Sequence, residues 1–161
     1  MTDDALAWWL TGMTDGEGSF FATAAARNND PRYARLLLVF VIGLRLDDMP
    51  VLRKLHEWTK VGSLYTNGSG GGRANGYPQA QWRVVKINQL HDVIIPHFDS
   101  HPLQSKKARD YAVWREVVIH AKQSTGYQGH SQRRSPEDWV KLRGLCEQLK
   151  SVRAYAIPEE D

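Results

Sequence analysis

A chain of 161 residues, 42% apolar and 24% charged, has the length and composition of one ordinary folded domain, which excludes a disordered tail or a fibrous repeat. Its longest apolar run, Leu36 to Ile42, is strand-sized and short of the roughly 18 residues a membrane helix needs, while one cysteine, Cys146, excludes an internal disulfide framework and suits a reducing compartment. The formal charge of +3 understates a basic body: five of the 18 acids (Asp3, Asp4, Glu159, Glu160, Asp161) sit at the ends, leaving 21 Lys and Arg against 13 acids, a surplus that suits a polyanionic partner.

The start, Thr2-Asp3-Asp4, is neither a signal nor a transit peptide. Residues 3 to 15 are expected to be helical, because Thr2 or Asp3 can cap and Leu6, Trp9, Leu10 and Met13 recur at helical spacing. Two glycines in Asp15-Gly16-Glu17-Gly18 should end that helix, since glycine adopts backbone conformations a helix cannot continue through. Ser19 to Arg27 and Arg35 to Leu46 read as strands joined by turn chemistry at Asn28-Asn29-Asp30-Pro31. A helix from Pro50 to Thr59 follows. Strands over Val61 to Asn67 and Ala80 to Lys86 flank the glycine-rich connection Gly68 to Gly76. Helices are expected over Ile87 to Phe98, Leu103 to Gln123 and, behind a loop and the capping sequence Ser135-Pro136-Glu137-Asp138, over 136–152, with a short acidic tail at 157–161. The order helix, two strands, helix, two strands, helices defines an α+β class with a four-stranded antiparallel sheet, one face of which can stay open; residues 1–161 read as a single domain without internal repeats.

The most informative stretch is Leu10-Thr-Gly-Met-Thr-Asp-Gly-Glu-Gly18. By itself, Asp-Gly-Glu-Gly is also what an ordinary helix-ending turn uses. Other motifs fail on this segment. An EF-hand loop starting at Asp15 would need Glu where Ala26 stands. Gly16-x-Gly18 lacks the third glycine of a dinucleotide loop, and Gly68 to Gly76 lacks the Gly-Lys-Ser/Thr of a P-loop. The nine residues resemble the motif of the LAGLIDADG homing endonucleases: Leu10, Gly12, Asp15 and Gly18 match by letter, and Glu17 keeps an acid at the eighth place. The resemblance extends along the chain through Leu52 to Tyr65, Gln81 to Val85, Ile94 to Phe98, Pro102 to Lys107 and Ser135 to Trp139. It implies the fold α-β-β-α-β-β-α, and a single motif copy implies a homodimer.

Gly12 and Gly16 lie four apart on one helix face, so a second copy of the helix can pack there, with Trp9, Met13 and Asp15 around the contact. Two helix tips side by side bring two carboxylates together. Carboxylate oxygens suit Mg²⁺, with Mn²⁺ as a substitute, and such a site can activate water and stabilise both oxygens of an in-line phosphodiester displacement. By resemblance, Glu17 is the metal-binding acid with the Gly16 carbonyl beside it. Asp15 then serves the helix end and the interface, and Lys106, Lys107 and Gln104 are candidates to approach the scissile phosphate. The family often has a polar residue at the end of its second strand to position water, where this chain has Leu44 followed by Arg45. His97 and His101 are four apart, but Pro102 disfavours helix at His101 and no Glu completes a zinc motif.

If the open sheet face lies in the major groove of double-stranded DNA, alternate strand residues point at bases. These are Ser19, Phe21, Thr23, Ala25 and Arg27 in the first strand. In the third and fourth they are Tyr65, Asn67, Gln79, Gln81 and Arg83, while Trp82 and Val84 turn to the core. Arg35 and Arg73 add positive charge. The second strand is apolar at nearly every position. Either it is buried on both faces, or Leu37, Val39 and Val41 contribute shape and thymine-methyl contacts. The resemblance implies a site-specific endonuclease making a staggered double-strand break in a partly palindromic site. It also implies an intracellular setting, either a prokaryotic cytoplasm or an organelle that carries the intron, with no membrane and no small-molecule substrate. The alternatives are a DNA-binding protein without cleavage and an RNA-binding intron maturase of the same fold.

Overall fold

The computed structural model describes residues 2–27, 30–67, 77–124 and 134–154, with side chains described outside 26–34. The expected turn at Asn28 and Asn29, the glycine-rich connection with Arg73, the loop 125–133 and the acidic tail lie outside the described residues, as does the Arg27 side chain.

Helix α1 spans Asp3–Glu17. Its cap is Thr2, whose Oγ1 accepts from the Ala5 N–H at 3.2 Å, and Asp3 and Asp4 complement the helix dipole in the first turn. The helix outlasts its expected end by two residues, because Gly16 stays helical and no glycine here has a positive φ. Gly18 is extended, with φ −78° and ψ 159°, and begins strand β1 (Gly18–Arg27) with no intervening loop. What position 18 demands is space. A Cβ there would stand 2.5 Å from Thr14 Cγ2 and 2.8 Å from the Thr14 Cα and carbonyl oxygen. Conformational freedom is therefore the wrong reason for that glycine, and close approach is the right one.

Strand β2 covers Asp30–Arg45. It starts five residues before the expected Arg35, because Ala26 and Arg27 of β1 offer ladder partners at Ala34 and, past a register shift, at Asp30. It stops one residue short of Leu46, whose N–H instead donates to the Pro78 carbonyl at 2.9 Å. A 3₁₀ turn over Leu46–Asp48 leads into α2 (Met49–Thr59). Strands β3 (Ser63–Asn67) and β4 (Gln79–Val84) are shorter than expected. Val61 is buried, and Gly62, at φ +79°, turns the chain where a Cβ would meet the Arg83 carbonyl oxygen at 2.5 Å. The sheet is antiparallel throughout, in the order β1-β2-β4-β3.

The helical run α3 over 87–100 contains a wide π turn at Leu90–Ile94. That turn directly precedes Pro96, whose ring would collide with a carbonyl one ordinary turn back. Helix α4 (Lys107–Gln123) starts four residues after the expected Leu103, and α5 spans Pro136–Arg153 with Ser135 capping it. Helices cover one sheet face. Between the layers Phe20, Phe40, Trp82, Phe98 and Trp114 are buried to within 1%, with the Phe20 and Phe40 rings 5.3 Å apart and Phe20 and Trp114 5.1 Å apart. This is the α+β architecture expected from the sequence. Among the described residues no helix covers the other sheet face.

Candidate active site and the open sheet face

The C-terminal turn of α1 leaves carbonyls without helical partners. Lys107, the first residue of α4, takes one of them, its Nζ donating to the Gly16 carbonyl at 2.9 Å, and also donates at 3.1 Å to the Thr14 carbonyl, which already accepts the Gly18 N–H. A cation at this negative helix end is favourable. Asp15 ties the same two segments from the opposite direction. Its carboxylate accepts from the Gln104 N–H at 3.0 Å and the Ser105 N–H at 3.0 Å. Those two amides, ahead of α4, are both satisfied by Asp15. Both Asp15 oxygens thus face their own chain, a clasp that the expected interface role did not include.

Burial works to raise the Asp15 carboxyl, but hydrogen bonds from Ser105 and Gln104 and the Lys107 charge outweigh it and hold it below the usual carboxylate range. Burial draws the Lys107 ammonium down, against the pull of Glu17 and then Asp15. Glu17 itself is exposed at the helix tip, and no hydrogen bond engages its carboxylate among the described residues. The structure therefore gathers Asp15, Gly16, Glu17, Gln104 and Lys107 into one corner. The Gln104 side chain turns away to the Pro102 carbonyl at 3.0 Å, and Lys106 is the N-cap residue of α4. Leu44 packs against the core, and Arg45 is held by Asp47 at 2.8 Å.

Behind the corner, Thr11 anchors α1 to α3. Its hydroxyl donates to the His101 carbonyl at 2.9 Å, so the His97 Nε2, 3.2 Å away, is the donor of the pair. The two imidazoles stack at 5.4 Å, and burial followed by the charge of His101 pushes His97 down to about 4. The His97 Nε2 serves Thr11 and the His101 Nε2 serves Asp4, both on α1. Among the described residues no three His, Cys, Asp or Glu side chains converge on a cation site.

On the open face the strand register lines up rows. Ser19, Val41, Arg83 and Ser63 form the row nearest Glu17. In one direction follow Phe21 with Val39, Thr23 with Leu37 and Ala25 with Arg35. In the other follow Gly43, Gln81 and Tyr65, then Arg45, Gln79 and Asn67. The second strand is thus not buried on both faces: Leu37 is 48% exposed. Arg83 donates to Gln81 at 2.8 Å and lies over the Tyr65 ring. Arg45 lies over Tyr77. On α1, Trp8 is 44% exposed, Trp9 and Met13 are partly buried against the core, and the space over Gly12 and Gly16 is empty to 4 Å.

Sequence reasoning missed four contributors. Thr14 acts through its backbone carbonyl, which no residue type announces, and Ser105 through its N–H and its hydroxyl together. Arg153 reaches from α5 to donate to the Phe20 carbonyl and the Ser19 hydroxyl, each at 3.1 Å, a pairing 134 residues apart. Arg45 was legible, since it continues the alternation of Val41 and Gly43.

An antiparallel sheet with one open face, fed directly by a helix that ends in a loose acid, defines a class that comparison with known proteins makes definite. The family model described as LAGLIDADG endonuclease matches residues 10–118, and the chain belongs to that family. Over 116 residues, 70% of this chain, it is 34% identical to a probable intron-encoded DNA endonuclease 1 of Mycosarcoma maydis and covers 37% of that protein. The chain spans 19–37% of the length of the curated relatives it matches. Among solved structures, the archaeal intron-encoded homing endonuclease I-Vdi141I complexed with DNA shares the fold at a TM-score of 0.74 and 18% identity, covering 99% of this chain and 91% of that one. The I-LtrWI LAGLIDADG homing endonuclease bound to target DNA matches at 0.73 and 20% identity, over 91% of this chain and 44% of that one. No described helix is long and apolar enough to cross a membrane.

Proposed function

We propose that this chain is a site-specific, metal-dependent endonuclease of double-stranded DNA that works as a homodimer. One observation carries the reading: Glu17, a loose acid, stands two residues before Ser19, the first residue of an open sheet face that carries Arg35, Arg45 and Arg83. An acid facing a polyanion is costly unless a cation stands between them.

The donors fit such a cation as half a site. Glu17 offers a carboxylate. The Gly16 carbonyl has two lone pairs and gives one to Lys107. All donors are hard oxygens, which suits Mg²⁺ or Mn²⁺, and a second copy packed on the open Gly12 and Gly16 face of α1, beside Trp9 and Met13, brings its own Glu17 alongside. Such a cation, when bound, activates water and offsets charge on the phosphate. Lys107 holds the end of α1 so that Glu17 is presented from a fixed backbone, and Asp15 fixes the 104–105 segment that precedes Lys106. Lys106 and Lys107 are the lysines that stand on the side of the scissile phosphate. In the reaction the water oxygen bonds to phosphorus and its proton passes to solvent, while the bond to the leaving sugar oxygen breaks and that oxygen takes a proton from solvent to become a hydroxyl. Each subunit cuts one strand, leaving a staggered break in a partly palindromic site. The names of the curated relatives support an origin in an intron, and we place the protein in the compartment that expresses that intron, a prokaryotic cytoplasm or an organelle.

The deciding experiment incubates the protein with a randomised duplex library and Mg²⁺, beside Glu17→Gln, and sequences the cut ends. Metal-dependent cutting at a partly palindromic site, absent in the variant, is the expected result. A second reading, sequence-specific binding without cleavage, is favoured by Leu44, which packs in the core where a water-positioning polar group is expected. Selection of a site that is never cut establishes that reading, and selection of RNA over every duplex establishes a maturase.

A further inference from the structure

Resting on the reading of the open face as a major-groove surface, we infer that a block of about four base pairs in each half-site is recognised through thymine methyl groups, by Phe21, Leu37, Val39 and Val41. The register places these four on the open side of β1 and β2, with Phe21 opposite Val39 and Leu37 opposite Thr23. Phe21 is 38% exposed and Leu37 48%, while Val39 and Val41 are half-buried. None of the four can donate or accept a hydrogen bond. The polar rows begin only at Arg83 and continue through Gln81, Tyr65, Gln79 and Asn67. The face therefore carries most of its hydrogen-bonding side chains on β3 and β4, and on β1 and β2 a patch that is apolar but for Ser19 and Thr23.

The apolar patch is framed by charge, with Arg35 beyond Leu37 and Arg83 beside Val41, so its occupant is a polyanion that also presents apolar groups. Duplex DNA meets that description in one way. The thymine C5-methyl is the one apolar group on a base edge in the major groove. Successive residues on one strand face stand about 6.7 Å apart, close to two base pairs of about 3.4 Å each. Val41, Val39 and Leu37 thus follow about four base pairs. Burying one methyl is equivalent to about a fourfold change in affinity. An A·T preference arises here without any hydrogen bond to a base, and a methylated cytosine passes for thymine.

The test starts from the site selected by the whole protein in Ca²⁺ and measures binding to duplexes carrying single replacements. Deoxyuridine for thymidine removes only the methyl, and 5-methylcytosine for cytosine adds only one. A contiguous block in each half-site where each deoxyuridine weakens binding about fourfold and 5-methylcytosine restores it is expected. Over the polar rows deoxyuridine is neutral, whereas 7-deazaguanine, which lacks one acceptor, is costly. Leu37→Gln, an exposed position whose folding is checked by thermal unfolding, abolishes the deoxyuridine penalty at its own base pair. Neutral deoxyuridine at every position of a selectively bound site overturns the inference and leaves the DNA reading standing. A dimer that forms without DNA and is broken by Leu37→Gln also overturns it, because a second copy then covers the patch. Failure to select any duplex removes both readings together.

Discussion

The corner at the end of α1 and the open face of the sheet are built on opposite plans. In the corner nearly every polar group is committed: Asp15 to two amides, Lys107 to two carbonyls, Thr11 to α3. On the face, polar side chains make fewer and mostly exposed contacts, as Arg83 does with Gln81 and Tyr65 and Arg45 with Asp47. A reacting centre gains from groups held in advance at fixed positions, because displacement by an ångström costs rate. A surface that must match base edges gains from side chains whose replacement leaves the scaffold alone. The difference teaches where this chain tolerates change and where it does not.

The largest expected effect tests the one loose member of the corner. Glu17→Gln should lower the cleavage rate at least about a thousandfold, the scale at which loss of a key electrostatic group is felt. Site binding in Ca²⁺ and the unfolding midpoint should stay unchanged, and a loss of stability would place Glu17 among the wired groups instead. Next, Gly18→Ala forces a methyl into the Thr14 backbone and should cost about 2–3 kcal/mol in denaturant unfolding. A neutral result would show that the helix-to-strand junction is slack.

Acid probes the wiring without mutation. Burial pushes His97 in the folded chain down to about 4, below the usual 6.5 of a free imidazole, so the folded form favours the neutral ring. Its contribution is complete above pH 6.5 and is lost as pH falls from there towards 4. We expect a loss on the order of 2 kcal/mol after allowing for partial exposure, and His97→Gln should flatten that part of the stability profile. Asp15 follows the usual carboxylate sense, its contribution being present above the unfolded value near 3.8 and lost below it as the depressed folded value is passed. Asp15→Asn should cost about 1 kcal/mol at neutral pH. The smallest effect belongs to the face. Gln81→Ala should change stability by less than about 0.5 kcal/mol while relaxing base preference at one or two positions of the selected site. If it destabilises as much as Asp15→Asn, the contrast between the two regions fails.

Element types and strand parity were legible because burial imposes a period of two on strands and a near-fourfold spacing on helices. Trp82 and Val84 point inward and Gln81 and Arg83 outward, as the alternation requires. Element ends were less legible, since they depend on partners distant in sequence. The segment ahead of α4 gives its amides to Asp15, 89 and 90 residues away, and β2 starts early because β1 offers it a ladder. The residues of the corner were named by their likeness to a known motif. Their arrangement, above all the Lys107 ammonium on the Gly16 carbonyl, follows from how α1 and α4 meet and leaves no periodic trace in the chain.

The direct passage of α1 into β1 has a consequence for how such a protein changes its target over time. Glu17 and Ser19 are separated by Gly18 alone, with no loop to absorb an added or deleted residue. An insertion there would turn every later β1 side chain to the opposite face and carry the cut out of step with the bases beneath the sheet. Substitutions along the strands leave that offset untouched. New targets are therefore reached by rewriting letters within a fixed frame, and the junction serves as its zero mark.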